Sequence, residues 1–505
     1  MKSDPTGNYD STELAALGYT AQFNRTMSLW ENFALGFTYL SPVVGAYTLL
    51  AFGLSTGGPP MIWSYFLAAV GMMMVCLVFG EVVSQFPIAG GVYPWARRLM
   101  GKRWSWITGW IYGWAMYATI AGVAEGAAGF VAPLLGIEVN PASVAVVALV
   151  TIGLATFFNV LGTRVLAKVA MVGFLCEMLG AVVVGGWLLS SHRLQPLSVF
   201  FNDFGISLHG SYLPAFLSSA LVGMFCCYGF EACGDLAEET PDPSRQIPKA
   251  MRMTIYIGIS VTVFSVTGLV LAIPDMHAVL SGAERDPVAL ILSTAFGPRG
   301  YRVILCVVLV SFLSCVLSLQ AAVSRLVFAY ARDNMIVGSS LLSKISPRTH
   351  VPVPSLVLAG LLPGAIICAG YFAQSALATV VSFAAVGIYL AFQMVVVAAL
   401  YARFKGWQPS GKFQLGRWAW AVNVLALLYG TSAAVNLVWP RAEEGAAWYV
   451  GYVPILTVTV VVGAGLLYLK VARPERHGVS PAGDAWMLHH SNRVPLESDF
   501  FGRAK

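Results

Sequence analysis

The chain has 505 residues, of which 57% are hydrophobic and only 11% charged, with a formal net charge of +6. A soluble globular chain carries about 25% charged residues, so the composition excludes a soluble fold and describes a polytopic membrane protein. The positive balance does not point to nucleic acid: the basic residues stand in short loops between apolar runs, with no basic tract and no nucleic-acid motif.

The first 30 residues are polar and read as a mobile, solvated tail, with Leu29-Trp30 at the interface. Twelve apolar runs follow, at about 31–54, 60–86, 104–134, 142–160, 165–189, 212–237, 251–273, 301–331, 353–372, 376–402, 418–439 and 448–471. Each is long enough to cross a hydrocarbon core of about 30 Å, and each must close its backbone hydrogen bonds as helix. The first run is too late and too long for a cleavable signal peptide. Alternating crossings put Arg97, Arg98, Lys102, Arg164, Lys168, Arg245, Lys249, Arg332, Lys344, Arg403, Lys405 and Lys470 on one side. Only Arg193, Arg285, Arg299, Arg302 and Arg441 fall on the other. The bias makes the first side, and both termini, cytoplasmic.

Two crossings carry helix breakers near mid-depth. In the first, Ser41-Pro42-Val43-Val44-Gly45 combines a proline that removes an N–H with a permissive glycine. In the sixth, an apolar helix from Leu213 is interrupted by Cys226-Cys227-Tyr228-Gly229-Phe230-Glu231. The two lie five crossings apart, an odd offset that makes the halves antiparallel. That pattern marks an inverted repeat with a substrate site between two discontinuous helices.

Four acids lie in helix interiors: Glu125, Glu177, Glu231 and Asp235. A desolvated carboxylate needs a partner or a proton. Three roles fit them: binding the amine of a substrate, carrying a coupling proton, or bonding structurally between helices. Ser311, Ser314 and Ser318 form one stripe on the eighth crossing, suited either to coordinating Na⁺ or to helix packing. Tyr228, exposed by its break, is placed to enclose an ammonium group by cation–π contact. The eight cysteines show no C-x-x-C spacing and the seven histidines no helical pair, so neither a metal site nor a cofactor is expected. Gly53-Leu54-Ser55-Thr56-Gly57 matches the hydrolase pattern G-x-S-x-G, but it ends a membrane helix and lacks a histidine partner, so no enzyme is expected.

Three motifs carry a resemblance. They are Gly80-Glu81 with Phe86-Pro87-Ile88-Ala89-Gly90-Gly91-Val92-Tyr93; Tyr228-Gly229-Phe230-Glu231 with 237–250 (AEETPDPSRQIPKA); and 324–334 (SRLVFAYARDN). Over roughly residues 30–472 the chain resembles the amino acid–polyamine–organocation (APC) permeases, with a tone similar to branches that carry amines, choline or γ-aminobutyrate. The resemblance implies an all-α protein of twelve transmembrane helices with a LeuT-type five-plus-five inverted repeat and discontinuous helices 1 and 6. The divisions would be 1–30 (cytoplasmic tail), 31–190 and 211–402 (the two repeats), 418–472 (two appended helices) and 473–505 (cytoplasmic tail). It implies a central binding site, for which Ser41, Val43, Val44, Gly45, Cys226, Cys227, Tyr228, Gly229 and Glu231 are the candidates. Glu177, Glu231, Ser311, Ser314 and Ser318 are the coupling candidates, and Glu125, Asp235, Glu238, Glu239, Arg325 and Arg332 the gate candidates. Two positions depart from the family pattern. Pro42, Val43 and Val44 replace a small Gly/Ser-rich run, and Glu177 stands where many members carry a lysine.

These readings converge on a secondary transporter. It would import an amino acid or another amino-bearing metabolite across the plasma membrane, coupled to H⁺ or Na⁺. A substrate-gated channel or nutrient-sensing receptor of the same fold is the alternative. The partners expected are the small substrate, the coupling ion and the bilayer; the residues carry no signal for an oligomeric state.

Overall fold

The structure, a computed structural model, describes residues 12–207, 210–372, 374–441 and 449–479, with the side chains of 374–382 excepted. The apolar runs are helical, as they must be where no water is present to bond the backbone. Among the described residues, eleven helical segments are long and apolar enough to span a bilayer, and Leu213–Phe225 is a shorter apolar helix.

The first crossing is two helices, α1 (Leu29–Leu40) and α2 (Pro42–Gly57). Ser28 and Glu31 form a capping box at the start of α1, an arrangement worth about 1 kcal/mol. Next come α3 (Ile62–Gln85), α4 (Val92–Met100), α5 (Lys102–Gly126), α6 (Ala128–Leu135), α7 (Pro141–Val160) and α8 (Thr163–Met178). One π-helical turn, Leu179–Val183, joins α8 to α9 (Val184–Ser191). The sixth run is not a continuous helix: α10 (Leu213–Phe225) and α11 (Ala232–Asp235) flank an irregular stretch at 226–231. Then follow α12 (Pro243–Leu271), α13 (Met276–Leu280) and α14 (Pro287–Arg332), the last bent at Gly297 with φ 65°. Gly297 is non-helical and divides α14 into two helices, so the run expected to begin at about 301 starts just after this bend, at Pro298. The chain closes with α15 (Ser339–Leu342), α16 (Val353–Phe372), α17 (Gln374–Phe404), α18 (Ala419–Val438), α19 (Val453–Ala472) and α20 (Pro474–His477).

Two packed groups emerge. Helix α12 lies on α1, α2 and α3, and α10 on α2 and α3. Helix α14 lies on α5, α7 and α8, and α5 on α17. Helix α1 touches both groups, through α12 on one side and through α8 and α14 on the other.

The N-terminal tail departs from expectation. Residues 12–16 are helical, and Leu14, Leu17, Tyr19, Phe23 and Met27 are buried. The described part of the tail is packed rather than solvated, because its apolar side chains cover the arginine-rich end of the bundle. The start of the C-terminal tail is also held: Lys102 donates to the Gly478 carbonyl at 2.8 Å and Arg97 to that of Val479. The remainder of both tails lies outside the described residues.

Candidate functional site

The break in the first crossing is one residue wide. Ser41 takes φ 47° and ψ 84°, its N–H donating to Phe37 O at 2.8 Å to close α1. Pro42 then occupies the first position of α2, where its missing N–H has no helical partner to lose and its fixed φ suits a helix start. This corrects the expectation of an unwound stretch over residues 41–45. Val43, Val44 and Gly45 form the first turn of α2, and proline starts the second helix rather than breaking the first.

Helix starts leave free N–H groups, and Glu177 takes up two donors at this one. Its Oε2 accepts from Val43 N at 2.8 Å and its Oε1 from the Ser41 hydroxyl, whose oxygen in turn accepts from Val44 N at 3.4 Å. A fully buried carboxylate therefore sits on the positive end of α2, where the peptide dipoles favour a negative group. The π turn follows at once, and its Gly180 carbonyl accepts from the Tyr47 hydroxyl at 2.7 Å. Single π turns recur at functional positions in helices.

The second break packs against the first. Gly229 has φ 115°, and a Cβ there would lie 2.7 Å from Leu40 N. A Cβ on Gly45 would lie 2.5 Å from Cys226 Sγ. Only glycine permits both the dihedral and the approach at position 229. Glu231, fully buried, accepts from Gly229 N at 2.9 Å and from the Tyr112 hydroxyl at 3.1 Å. Cys226, Cys227 and Tyr228 are buried too. Tyr228 is thus not exposed by the break: its ring is wedged edge-on against Tyr39 and Phe225, at 6.2 and 5.5 Å between centroids.

A cavity of about 190 Å³ lies beside the breaks, walled by Val44, Thr48, Thr119, Phe225, Phe312 and Ala384 among others. Of the nine candidate binding residues only Val44 lines it. The other eight are buried and do not line it. Thr48 and Thr119 had no mark in the sequence beyond being polar residues within apolar runs.

The serine stripe on α14 is engaged within the fold. Ser311 donates to Val307 O at 3.3 Å, Ser314 to Ser311 O at 3.0 Å, and Ser318 bonds to Thr38 of α1 at 2.8 Å.

The arginine-rich end is closed by ion pairs. Arg325 grips Glu239 with two bonds of 2.8 and 3.1 Å, both side chains being wholly buried, and Thr163 donates to the same carboxylate. Arg332 bonds both oxygens of Glu238 at 2.9 and 3.1 Å, and Ala89 N donates to one of them at 3.0 Å. Asp333 gathers Arg97, Tyr93 and Tyr19, the two tyrosines at 2.9 Å. Burial pushes the Tyr19 hydroxyl up to about 12, which keeps it a donor. Glu81 pairs with Arg403 and accepts from Leu415 N at 2.8 Å.

The gate candidates therefore divide. Glu238, Glu239, Arg325 and Arg332 meet at this end, and Asp235 lies between them and the breaks with no cation paired to it. Glu125 does not join them. It stands in the last turn of α5, roughly 35 Å along that helix from Lys102, and lines a separate cavity with Asn140 and Tyr371. Asp333, Arg97, Arg403, Thr163 and Tyr19 were not singled out as site residues. Asp333 lies inside a motif that was noticed, yet its partner Arg97 is 236 positions away, a separation that pattern reading does not bridge.

A bundle of apolar helices in which two interrupted crossings meet at buried acids is the build of a membrane permease. The chain belongs to the amino acid permease family, whose model matches residues 27–465, and so to the APC superfamily. It is 27% identical over 485 residues to amino-acid permease BAT1 of Arabidopsis thaliana, covering 90% of this chain and 93% of the relative. A BAT1 homolog of Oryza sativa subsp. japonica is 28% identical over 478 residues, covering 89% and 91%. A putative amino acid/polyamine transporter of Macrophomina phaseolina is 25% identical over 414 residues, covering 78% and 90%. The multi-pass membrane placement follows from the helices and the family together.

Proposed function

We propose that this permease is a secondary active transporter that imports an amino acid, or a closely related amino-bearing metabolite, across the plasma membrane by alternating access, with both termini in the cytoplasm. One observation supports the reading: the two interrupted crossings touch through Gly229 and Leu40, with Glu177 bonded at the start of α2 and Glu231 bonded at the second break. Names of relatives, amino-acid permease and amino acid/polyamine transporter, support the substrate class.

Glu177 already occupies the N-terminal donors of α2 that would otherwise receive an anion. The substrate is therefore anchored chiefly by its amino group, at Glu231. The group formed by α1, α2, α3, α10, α11 and α12 moves against the rest, and the Arg325–Glu239 and Arg332–Glu238 pairs separate as the cytoplasmic end opens. The serines of α14, spent on internal bonds, serve packing.

The test is uptake of labelled amino acids, polyamines, choline and γ-aminobutyrate into vesicles containing the full chain. Glu231→Gln is expected to lower uptake about tenfold or more, the equivalent of one lost charge-assisted contact. Uptake that survives both Glu231→Gln and Gly229→Leu intact rules the site out.

A further inference from the structure

Asp235 differs from every other buried acid in the described bundle. It is fully buried, yet neither carboxyl oxygen has a hydrogen-bond partner among the described residues. Glu231, one turn earlier, has both oxygens served, by Gly229 N and by Tyr112. Glu177, Glu238 and Glu239 are served likewise. The groups facing Asp235 are Glu231 and Cys233 from its own segment, Tyr39 from α1, Tyr112 from α5 and Arg325 from α14. Arg325 does not neutralise it, because that guanidinium is spent on Glu239, Ser324 and the Ala321 carbonyl. On the remaining side the backbone of the 86–91 loop presses in. Gly90 N donates to the Asp235 main-chain carbonyl at 3.1 Å, and a Cβ on Gly91 would lie 2.4 Å from Oδ1.

An ionised carboxylate without donors is far costlier in a dry interior than the neutral acid. The arrangement thus holds one proton on Asp235 while leaving Glu231 fitted to be the anion. The Tyr112 hydroxyl donates to Glu231 and also faces Asp235. The next charged layer beyond Asp235 is the Arg325–Glu239 pair that closes the cytoplasmic end.

We propose that Asp235 is the proton carrier that couples transport in this chain, receiving its proton from Glu231 through the Tyr112 hydroxyl and releasing it when the Arg325–Glu239 pair opens. The step balances. Once Asp235 has released its proton inward, the vacated Glu231 carboxylate takes a proton from water on the outer side and gives it to the Tyr112 oxygen. Tyr112 passes its own hydroxyl proton to the Asp235 carboxylate. Glu231 becomes the anion that holds the ammonium, Asp235 becomes neutral, and Tyr112 is unchanged. Opening of the cytoplasmic end admits water, which takes the proton from Asp235 along with substrate release. The coupling ion is H⁺, one per substrate. This inference rests on the transport reading above.

The experiment uses the full chain in proteoliposomes loaded with a pH-sensitive dye. The probes are the twenty labelled L-amino acids, γ-aminobutyrate and spermidine, each offered with an inward proton gradient or an inward Na⁺ gradient. Wild type is expected to accumulate at least one probe under the proton gradient and to acidify the lumen as it does so. Asp235→Asn is expected to lose about tenfold or more of that accumulation together with the acidification, while substrate counterflow, which needs no net proton movement, persists. Asp235→Glu is expected to keep proton-driven uptake with a displaced pH profile. If Asp235→Asn silences counterflow as well, Asp235→Glu decides: retained proton-driven uptake supports the carrier, and loss of both activities overturns it. Proton-driven accumulation and acidification that persist in Asp235→Asn overturn it, as does wild-type uptake driven by Na⁺ alone, which leaves the transport reading standing. No uptake of any probe by wild type removes the transport reading and the inference with it.

Discussion

Single residues at the two closures carry more than their size suggests. Arg325 and Glu239 are both wholly buried and satisfy one another with paired bonds. Neutralising one partner strands the other charge, which typically costs about 3–5 kcal/mol. Glu239→Gln is therefore expected to lower the thermal unfolding midpoint in detergent sharply, and Arg325→Met combined with Glu239→Met to recover much of the loss. Equal melting of the single and double variants contradicts this account. Gly229 makes a different demand. An alanine there would have to hold φ 115° and push against Leu40 N, a strain of about 1–3 kcal/mol. Gly229→Ala should melt earlier than wild type by several degrees, measured by tryptophan fluorescence in the same detergent. The sequence marked both positions by their neighbours alone: a glycine close to an acid in an apolar run, and an arginine well inside another such run. It put Arg325 in one gate set with Glu238 and Glu239 but did not say which acid meets which arginine, nor that Gly229 meets Leu40, because pairing is a property of distance in space.

At the scale of the element, α2 shows how a half-helix is founded. Its start is set by Pro42, but its free donors are served from another helix, by Glu177 of α8. A buried donor left unpaired costs about 1–3 kcal/mol, so Glu177→Ala should destabilise by that order and Glu177→Gln by less, since the amide keeps one acceptor. Hydrogen exchange at the Val43 amide should quicken in the order wild type, Gln, Ala; unchanged protection in the alanine variant contradicts the capping role. The proline at 42 was legible in the sequence as a disturbance, and its direction was not. A proline is equally at home ending one helix and starting the next, and only the left-handed turn at Ser41 shows which applies.

Across the whole molecule, the two ends are built differently. The arginine-rich end is closed by four ion-pair clusters and is covered by residues 12–28, whose Met27 N donates to Glu239 O at 3.0 Å and whose Tyr19 reaches Asp333. The other side of the breaks holds a cavity bounded by threonines and apolar side chains. Asp333→Asn removes the charge that gathers Arg97, Tyr93 and Tyr19, and is expected to loosen the closed end. The readout is labelling of the buried Cys233 by an impermeant maleimide added from the arginine-rich side, in protein whose exposed Cys306 and Cys368 are replaced by serine. Wild type should resist and Asp333→Asn should label several-fold faster; identical rates contradict a closing role for this cluster.

Composition and periodicity alone determined that this chain lives in a membrane, that its crossings are helical, and that the first and sixth carry helix breakers near their middles. Those properties follow from local chemistry: runs of apolar side chains leave the backbone no partner but itself, and glycine and proline act on their own turn. Tertiary structure alone decided that the two disturbances touch, that Glu177 serves the start of α2, that the tail seals one end, that Glu125 stands apart, and that Asp235 is left without a donor. Each of these depends on groups tens to hundreds of positions apart in the chain being brought within a few ångströms, and no local pattern encodes which of many acids, arginines and amides will meet.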